Sequence, residues 1–426
     1  MKKLSFRALV SLVIGSQIGS GVFLLPASLA ILGPISLFGW LISGVGAILL
    51  ALVFSQLSLR LPQSGGPHVY MERAFGKTAA FYTAWTYWVV SWMSSIAVIL
   101  AAVGYLSSMI SIASPAMMLL AEILIITTIS LINMRGAGVA GSLELFLTIL
   151  KCLPLIVIPI AGLFYLRPEY FAWTASTNTL QSLNTASLMT FWGFIGLESA
   201  TVTAGIIENP SKAIPRAVIM GTIAVAAIYF LNSIGIMGII DPQILAHSSA
   251  PYVDAAHALF GLGWHTVIAC IAFIVCIGTL NAWVLTSGQM AKEAGTAGLF
   301  PSIFGKTNRF GAPYVSLSIA LCCTLPLLCL TLTPNILHQL NEIIDISVTI
   351  FLFVYLGCSC AFLKILSQEK GSLFYRCIGW LAVAFCVWAL SYITLKHLAI
   401  GALFLASGLP IYLWQERKKR QQIIAS

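Results

Sequence analysis

The chain has 426 residues, of which 59% are hydrophobic and only 8% are charged, and its mean hydropathy is +0.97. Soluble domains carry about 25% charged residues, so this composition excludes a water-soluble enzyme and predicts a protein embedded in the lipid bilayer. The formal net charge of +9 does not indicate nucleic-acid binding, because the basic residues lie mainly in short loops between apolar segments.

Twelve apolar segments are long enough to cross a bilayer, which takes about 20 residues each. They cover residues 7–30, 35–59, 79–107, 116–134, 142–166, 185–207, 216–240, 262–290, 312–332, 338–366, 374–394 and 397–415. With these spans, all of the 22 basic residues except Lys151, Arg167 and Lys396 fall on one side, including the run Arg417–Arg420. The positive-inside rule then predicts a multi-pass inner (plasma) membrane protein with both termini in the cytoplasm.

The first apolar segment contains G-S-G-V-F-L-L-P at residues 19–26. Glycine is a poor helix former, and unwound backbone survives at membrane depth only where it is buried in protein or lines a water-filled cavity. In secondary transporters such a break presents helix ends and bare N–H and C=O groups to a substrate. We therefore predict a discontinuous first helix; the alternative is that the glycines only allow close helix packing.

A second break is predicted in the sixth segment, which reads F-W-G-F-I-G-L-E-S-A at residues 191–200. Glu198 lies in the middle of this span, where an ionisable group is costly and is typical of a functional site. The alternative for Glu198 is a structural clamp, a neutral acid bonded to backbone. Glu122 and Glu144 lie nearer the ends of their spans, where we expect water to solvate them.

The two breaks also suggest how the chain is organised. Because each broken segment opens a group of five, we predict two inverted five-helix repeats, residues 7–166 and 185–366. Two additional helices, residues 374–415, complete a single transporter domain. The ten cysteines lie mostly within spans and show no ligand-like spacing with histidines, so we expect no metal and no cofactor.

Together these motifs resemble the amino acid–polyamine–organocation (APC) superfamily, and within it the basic amino acid/polyamine antiporters of the arginine/agmatine type. Besides the two breaks, the resemblance rests on S-G-G at 64–66, Tyr87-Trp88 with Trp92, V-G-Y-L-S at 103–107, E-N-P at 208–210, G-Q-M-A-K at 288–292 and G-L-F-P-x-I-F at 298–304. It implies an all-α integral membrane protein of twelve transmembrane helices. Their core is expected to be a five-plus-five inverted repeat (LeuT-like) in which helices 1 and 6 are discontinuous.

The resemblance also implies a function. The chain is expected to be a secondary transporter, not an enzyme, that exchanges a small cationic amino acid for its decarboxylated amine by alternating access. Homodimers are usual among similar antiporters. The expected pair is arginine/agmatine, and ornithine/putrescine and lysine/cadaverine are the alternative pairs. The alternatives are a proton-coupled permease of neutral amino acids and, in a different class, a sensor or channel that binds without turnover.

Site residues carry over from the same resemblance. The unwound stretches are expected to bind the amino and carboxylate ends of the substrate through Ile18, Gly19, Ser20, Gly21, Trp192, Ile195 and Gly196. Trp192 matches an aromatic residue that stacks on the substrate cation, and Trp283 matches one that closes over its aliphatic part. The alternative for both is an interfacial anchor. Glu198 with Tyr87 and Tyr355 matches a proton-sensing gate on the cytoplasmic side.

The remaining pocket positions are Ser91, Ser95 and Ser347. The chain departs from the arginine pattern at Val90, Ser91, Ser95, Asn281 and Asp345. Ser95 stands where that pattern has an asparagine, and Asn281 is a candidate for supplying the missing amide. Asp345 is an extra acid, which favours a doubly charged amine or else marks a solvated helix end.

Overall fold

The computed structural model of the protein describes residues 4–110, 112, 114–172, 179–248, 251–330, 336–369 and 371–425. Within them every regular element is helical, apart from one isolated bridge between Leu4 and Ile207. The α-helices are α1 Phe6–Gln17, α2 Ser20–Leu32, α3 Ile35–Arg60, α4 Pro67–Phe75, α5 Lys77–Ile110, α6 Pro115–Asn133, α7 Ala137–Leu163, α8 Thr179–Phe191, α9 Ser199–Val202, α10 Pro210–Ile239, α11 Pro242–Ala246, α12 Pro251–Phe260, α13 His265–Thr296, α14 Tyr314–Leu330, α15 Ile336–Gln368, α16 Leu373–Ser391, α17 Leu395–Ser407 and α18 Leu409–Ala425. The predicted all-helical, multi-pass architecture is confirmed.

Nine helical stretches in the described ranges are long and apolar enough to cross a membrane. They lie in α3, α5, α6, α7, α10, α13, α15, α16 and the joined run α17–α18, and they match nine of the twelve predicted spans. The other three predicted spans consist of shorter helices: α1 with α2, α8 with α9, and α14. The first two are short because a break divides each span, and the third because the predicted segment runs into residues 331–335, outside the described part.

The first break lies at Ile18 and Gly19, which separate the 12-residue α1 from the 13-residue α2. Both residues have extended backbone angles. A Cβ atom on Gly19 would lie 3.0 Å from Cγ2 of Thr279, so glycine allows α13 to approach the break closely.

The second break follows α8. Residues Trp192–Phe194 form one 3₁₀ turn, Ile195 is extended, and α9 begins only at Ser199. Gly196 has a φ of +104°, which other residues rarely adopt, and a Cβ atom there would lie 2.7 Å from Cβ of Ser16. The second break therefore packs directly on the end of α1.

The long helices differ in how far they are enclosed by the rest of the protein. In their most apolar stretches, 83% of the α5 residues and 67% of the α13 and α15 residues are buried, against 22% for α6 and 17% for α17–α18. The breaks are thus packed against the enclosed centre, whereas α6, α17 and α18 lie at the periphery.

Candidate functional site

A small cavity lies where the two breaks meet. Its lining comes from α1, the two breaks, α5, α10 and α13: Ser16, Gln17, Gly19, Ser94, Val98, Trp192, Gly193, Ile195, Tyr229, Thr279 and Trp283. The volume of the cavity is about 20 Å³, which is enough for one water molecule or one terminal amine. An amino acid can therefore enter this site only if the surrounding side chains move.

Of the residues predicted in the two breaks, Gly19, Trp192 and Ile195 line this cavity. Ile18 contributes its carbonyl group at the end of α1, and Gly196 packs beside the cavity on Ser16. Ser20 and Gly21 are the first residues of α2, and their surroundings lie outside the described part of the structure.

The end of α1 carries the carbonyl groups that the first break exposes. A helix leaves its last carbonyls without partners inside the helix. Here the carbonyls of residues 15–18 all accept hydrogen bonds from side chains of other helices: Gly15 from Lys151 Nζ (2.8 Å), Ser16 from Trp283 Nε1 (3.1 Å), Gln17 from the Tyr229 hydroxyl (2.7 Å), and Ile18 from Lys151 Nζ (3.2 Å) and the Thr279 hydroxyl.

These four carbonyls form an acceptor cluster suited to an ammonium group. Donors of the chain itself occupy the cluster, and an incoming ammonium must share or replace them. Trp283, Tyr229 and Thr279 line the cavity and donate to this cluster, so they are the donors that a substrate meets first. Gln17 adds a further acceptor, because its buried Oε1 has no hydrogen-bond partner among the described residues.

Lys151 and Glu144 form an ion pair on α7 that sequence reasoning missed. Their Nζ and Oε1 atoms are 3.8 Å apart, and neither side chain is exposed. Glu144 also accepts hydrogen bonds from Thr148 (3.1 Å) and from Asn281 (2.9 Å), as a buried carboxylate requires. The expectation that water solvates Glu144 is wrong. The sequence did contain a signal for this ion pair. Lys151 lies inside a span, two helical turns after Glu144 and on the same helix face.

Close packing of α1 on this pair depends on one glycine. A Cβ atom on Gly15 would lie 1.8 Å from Oε1 of Glu144, so any larger residue would push α1 away from α7. The Lys151 ammonium therefore reaches the carbonyls of α1 only because position 15, which faces Glu144, has no side chain.

Glu198 contacts both Tyr87 and Tyr355. The three residues come from different parts of the chain: the second break, α5 and α15. The Tyr87 hydroxyl donates to Oε1 of Glu198 at 2.8 Å, and the Tyr355 hydroxyl donates to Oε2 at 2.5 Å. The Gly196 amide donates to the Tyr355 hydroxyl at 3.3 Å, and all three side chains are fully buried. The carboxyl group thus ties α5 and α15 to the second break, beside the cavity.

The predicted pocket serines lie outside the lining of this cavity. Ser91 donates to a carbonyl of its own helix at 2.8 Å. Ser95 lines a second small cavity that also borders Trp283, whereas its neighbour Ser94 lines the first. Ser347 is buried, and its hydroxyl has no hydrogen-bond partner among the described residues.

Asn281 does not supply an amide to the cavity, contrary to expectation. Its Nδ2 donates to Glu144 Oε2 at 2.9 Å and to the Ala140 carbonyl at 3.2 Å. Its Oδ1 accepts from Asn133 Nδ2 at 3.0 Å. The whole amide is therefore engaged with α6 and α7, because the side chain extends from the face of α13 that is turned away from the cavity lining.

Two further acids lie away from the cavity. Glu122 on α6 is only 5% exposed, so the expectation that water solvates it is also wrong. Asp345 on α15 is exposed and lies close to the ion pair of Glu342 and Lys396, whose charged atoms are 2.6 Å apart. This position favours the solvated helix end over a binding site for a doubly charged amine.

Comparison with known proteins gives consistent matches along the chain. Residues 4–413 match the family model described as amino acid permease. The putrescine transporter PotE of Haemophilus influenzae is 31% identical over 377 residues, 86% of each chain. PotE of Escherichia coli K12 is 30% identical, covering 83% of this chain and 82% of that one. The cadaverine/lysine antiporter of the same strain is 30% identical, covering 75% and 72%.

Proposed function

We propose that this chain, which belongs to the amino acid permease family and within it to the basic amino acid/polyamine antiporters, exchanges a basic amino acid for its decarboxylated amine by alternating access. The observation that carries the proposal is that the two helix breaks meet at one cavity. The carbonyl cluster of α1 lies at this cavity, and Trp192 and Trp283 line it. Carbonyl oxygens suit an ammonium group, and aromatic rings suit both a cation and an aliphatic stem.

The amino acid and the amine differ in one group, the carboxylate. The start of α2 at Ser20 offers backbone N–H groups and the positive end of a helix dipole to that carboxylate. The amine lacks this interaction and relies on the acceptors of α1. The same site is therefore suited to binding both partners of the pair in turn.

For the substrate pair, we favour lysine/cadaverine or ornithine/putrescine over arginine/agmatine. A guanidinium group is bound best by planar groups that accept two hydrogen bonds, whereas an ammonium group needs only single acceptors. Position 95 holds a serine, and none of the described residues that line the cavity carries a carboxylate. The relatives named for putrescine and for cadaverine and lysine support the same choice.

We also propose the finer architecture: twelve spans, with residues 7–166 and 185–366 as inverted repeats. The opening span of each predicted repeat is broken, which supports this division. Both termini are proposed to be cytoplasmic. A tag at the C-terminus should then resist protease added to right-side-out vesicles, and cleavage would contradict this orientation.

The proposed homodimer should appear as twice the chain mass in light scattering after detergent correction.

Exchange is tested in liposomes that contain the purified protein. We expect uptake of labelled lysine or ornithine only when the liposomes contain trapped cadaverine or putrescine. Empty liposomes and liposomes with trapped neutral amino acids are the controls. Uptake into empty liposomes driven by a proton gradient would instead support the permease alternative, and binding without flux would support a sensor.

Trp192→Leu should weaken binding of both the amino acid and the amine by roughly thirtyfold. Leucine keeps an apolar side chain but removes the aromatic face, and a desolvated cation–π contact is worth about 2 kcal/mol. Calorimetry on purified protein measures the change. Trp380→Leu is the matched control, because Trp380 is 64% exposed on α16 and lies outside the cavity. Equal affinities in wild type and Trp192→Leu would remove Trp192 from the substrate site.

A further inference from the structure

A chain of buried polar groups connects the peripheral helix α6 to the end of α1. Asn133 on α6 donates to Asn281 on α13, Asn281 donates to Glu144 on α7, and Glu144 pairs with Lys151. Lys151 donates to carbonyls at the end of α1. All four side chains are at most 2% exposed, so solvent does not compete with these contacts.

We propose that Asn281 is a positioning residue for exchange: by holding Glu144 it keeps Lys151 on the end of α1 and so keeps this half-helix in place while the site has no substrate. The inference rests on the proposed antiport. Asn281 does not line the cavity, so it acts through Glu144 and Lys151 rather than on the substrate.

The two oxygens of Glu144 show why Asn281 matters. Oε1 lies near Thr148 and Lys151, whereas Oε2 accepts its hydrogen bond from Asn281 at 2.9 Å. A buried ion pair is stable only if its remaining lone pairs are also satisfied. Removing the amide therefore weakens the hold of Glu144 on Lys151, although neither charged residue has changed.

The orientation of the Asn281 amide is itself fixed by its neighbours. Nδ2 faces two acceptors, the Ala140 carbonyl and Glu144, while Oδ1 faces the donor Nδ2 of Asn133. A flipped amide would place its oxygen beside two acceptors, which is unfavourable. Asn133 thus helps to keep the donor of Asn281 directed at Glu144.

Helix α1, which these contacts hold in place, is a separate rigid segment. α1 has 12 residues and joins α2 only through the non-helical residues Ile18 and Gly19, which can act as a hinge. If α1 tilts away from α7, Lys151 loses its carbonyl partners. Obligatory exchange requires that the substrate-free carrier reorients slowly. The hydrogen bonds from Lys151 to α1 are suited to set the energy barrier to this reorientation.

Asn281→Ala should therefore make the exchanger leaky. We measure efflux of labelled amine from liposomes into medium with external amino acid and into medium without it. The ratio of the two rates should fall about tenfold, since the loss of one buried hydrogen bond to a charged group is of this size. A purely structural defect would lower both rates in proportion and leave the ratio unchanged.

Further variants sharpen the test. Asn184→Ala is the matched control, because Asn184 is 2% exposed and its amide has no partner among the described residues. Its ratio should equal that of the wild type. Asn281→Asp places two acids together and should give the lowest ratio. Adding Glu144→Gln restores a donor opposite a carboxylate and should raise the ratio again. Asn133→Ala, a milder change, should lower the ratio slightly.

The outcomes separate the inference from the function on which it rests. If external substrate does not stimulate efflux even in the wild type, the proposed antiport is wrong and the inference is wrong with it. If the wild type exchanges and the ratios of Asn281→Ala and Asn133→Ala match that of Asn184→Ala, only the inference is overturned. Should Asn281→Ala fail to fold, the ratio of Asn133→Ala decides.

Discussion

Lys151→Met should lower the free energy of unfolding by about 3–5 kcal/mol, the usual cost of removing one partner of a buried ion pair. The substitution leaves Glu144, which is not exposed at all, without its cation. It also removes the side-chain donor to the Gly15 carbonyl and one of the two side-chain donors to the Ile18 carbonyl at the end of α1. A large fall in the melting temperature of the purified protein in detergent is the measurement.

Two further variants show whether the ion pair causes this loss. Lys151→Met combined with Glu144→Met replaces both charges by apolar groups of similar size, and such replacements are often neutral or stabilising. The double variant should therefore melt well above the single variant. Lys212→Met, at an exposed position of α10, should melt like the wild type. A Lys151→Met protein as stable as the wild type would show that the pair contributes little.

The helix breaks could be predicted because their causes are local. Gly19 and Gly196 lie in apolar segments where glycine is unfavourable in a helix, and each has a structural reason to lack a Cβ atom. The donors that cap α1 could not be predicted in this way. Tyr229, Thr279 and Trp283 are 212, 261 and 267 positions away from the carbonyls that they bind.

Other errors came from small shifts along a helix. The fifth span was predicted at residues 142–166, but α7 begins at Ala137, so Glu144 lies about 10 Å inside the helix rather than near its end. Ser95 and Ser94 are neighbours, yet they line different cavities, since one residue rotates a side chain by about 100° around a helix. A sequence match locates a turn of helix more reliably than a side-chain direction.

Glu198→Gln should abolish most of the pH dependence of exchange. The Glu198 carboxyl group joins Tyr87 and Tyr355 through two hydrogen bonds in which both phenols donate. Only the ionised carboxylate accepts both without conflict, because a protonated carboxyl group carries a hydrogen that one phenol must then accept. Protonation therefore loosens the contact between α5, α15 and the second break, which is the proposed gate.

The glutamine side chain has one acceptor oxygen and one donor nitrogen, so it reproduces the protonated carboxyl group at every pH. Exchange by Glu198→Gln, measured between about pH 5 and 8, should remain near the acid-side rate of the wild type. The wild-type rate should change by about tenfold or more over that range, the size expected for one hydrogen bond to a charged group. Glu208→Gln, at an exposed position ten residues further on, is the matched control and should keep the wild-type profile. If Glu198→Gln gives the wild-type profile scaled by a constant, the carboxyl group is a structural clamp, and the pH dependence has to come from another group.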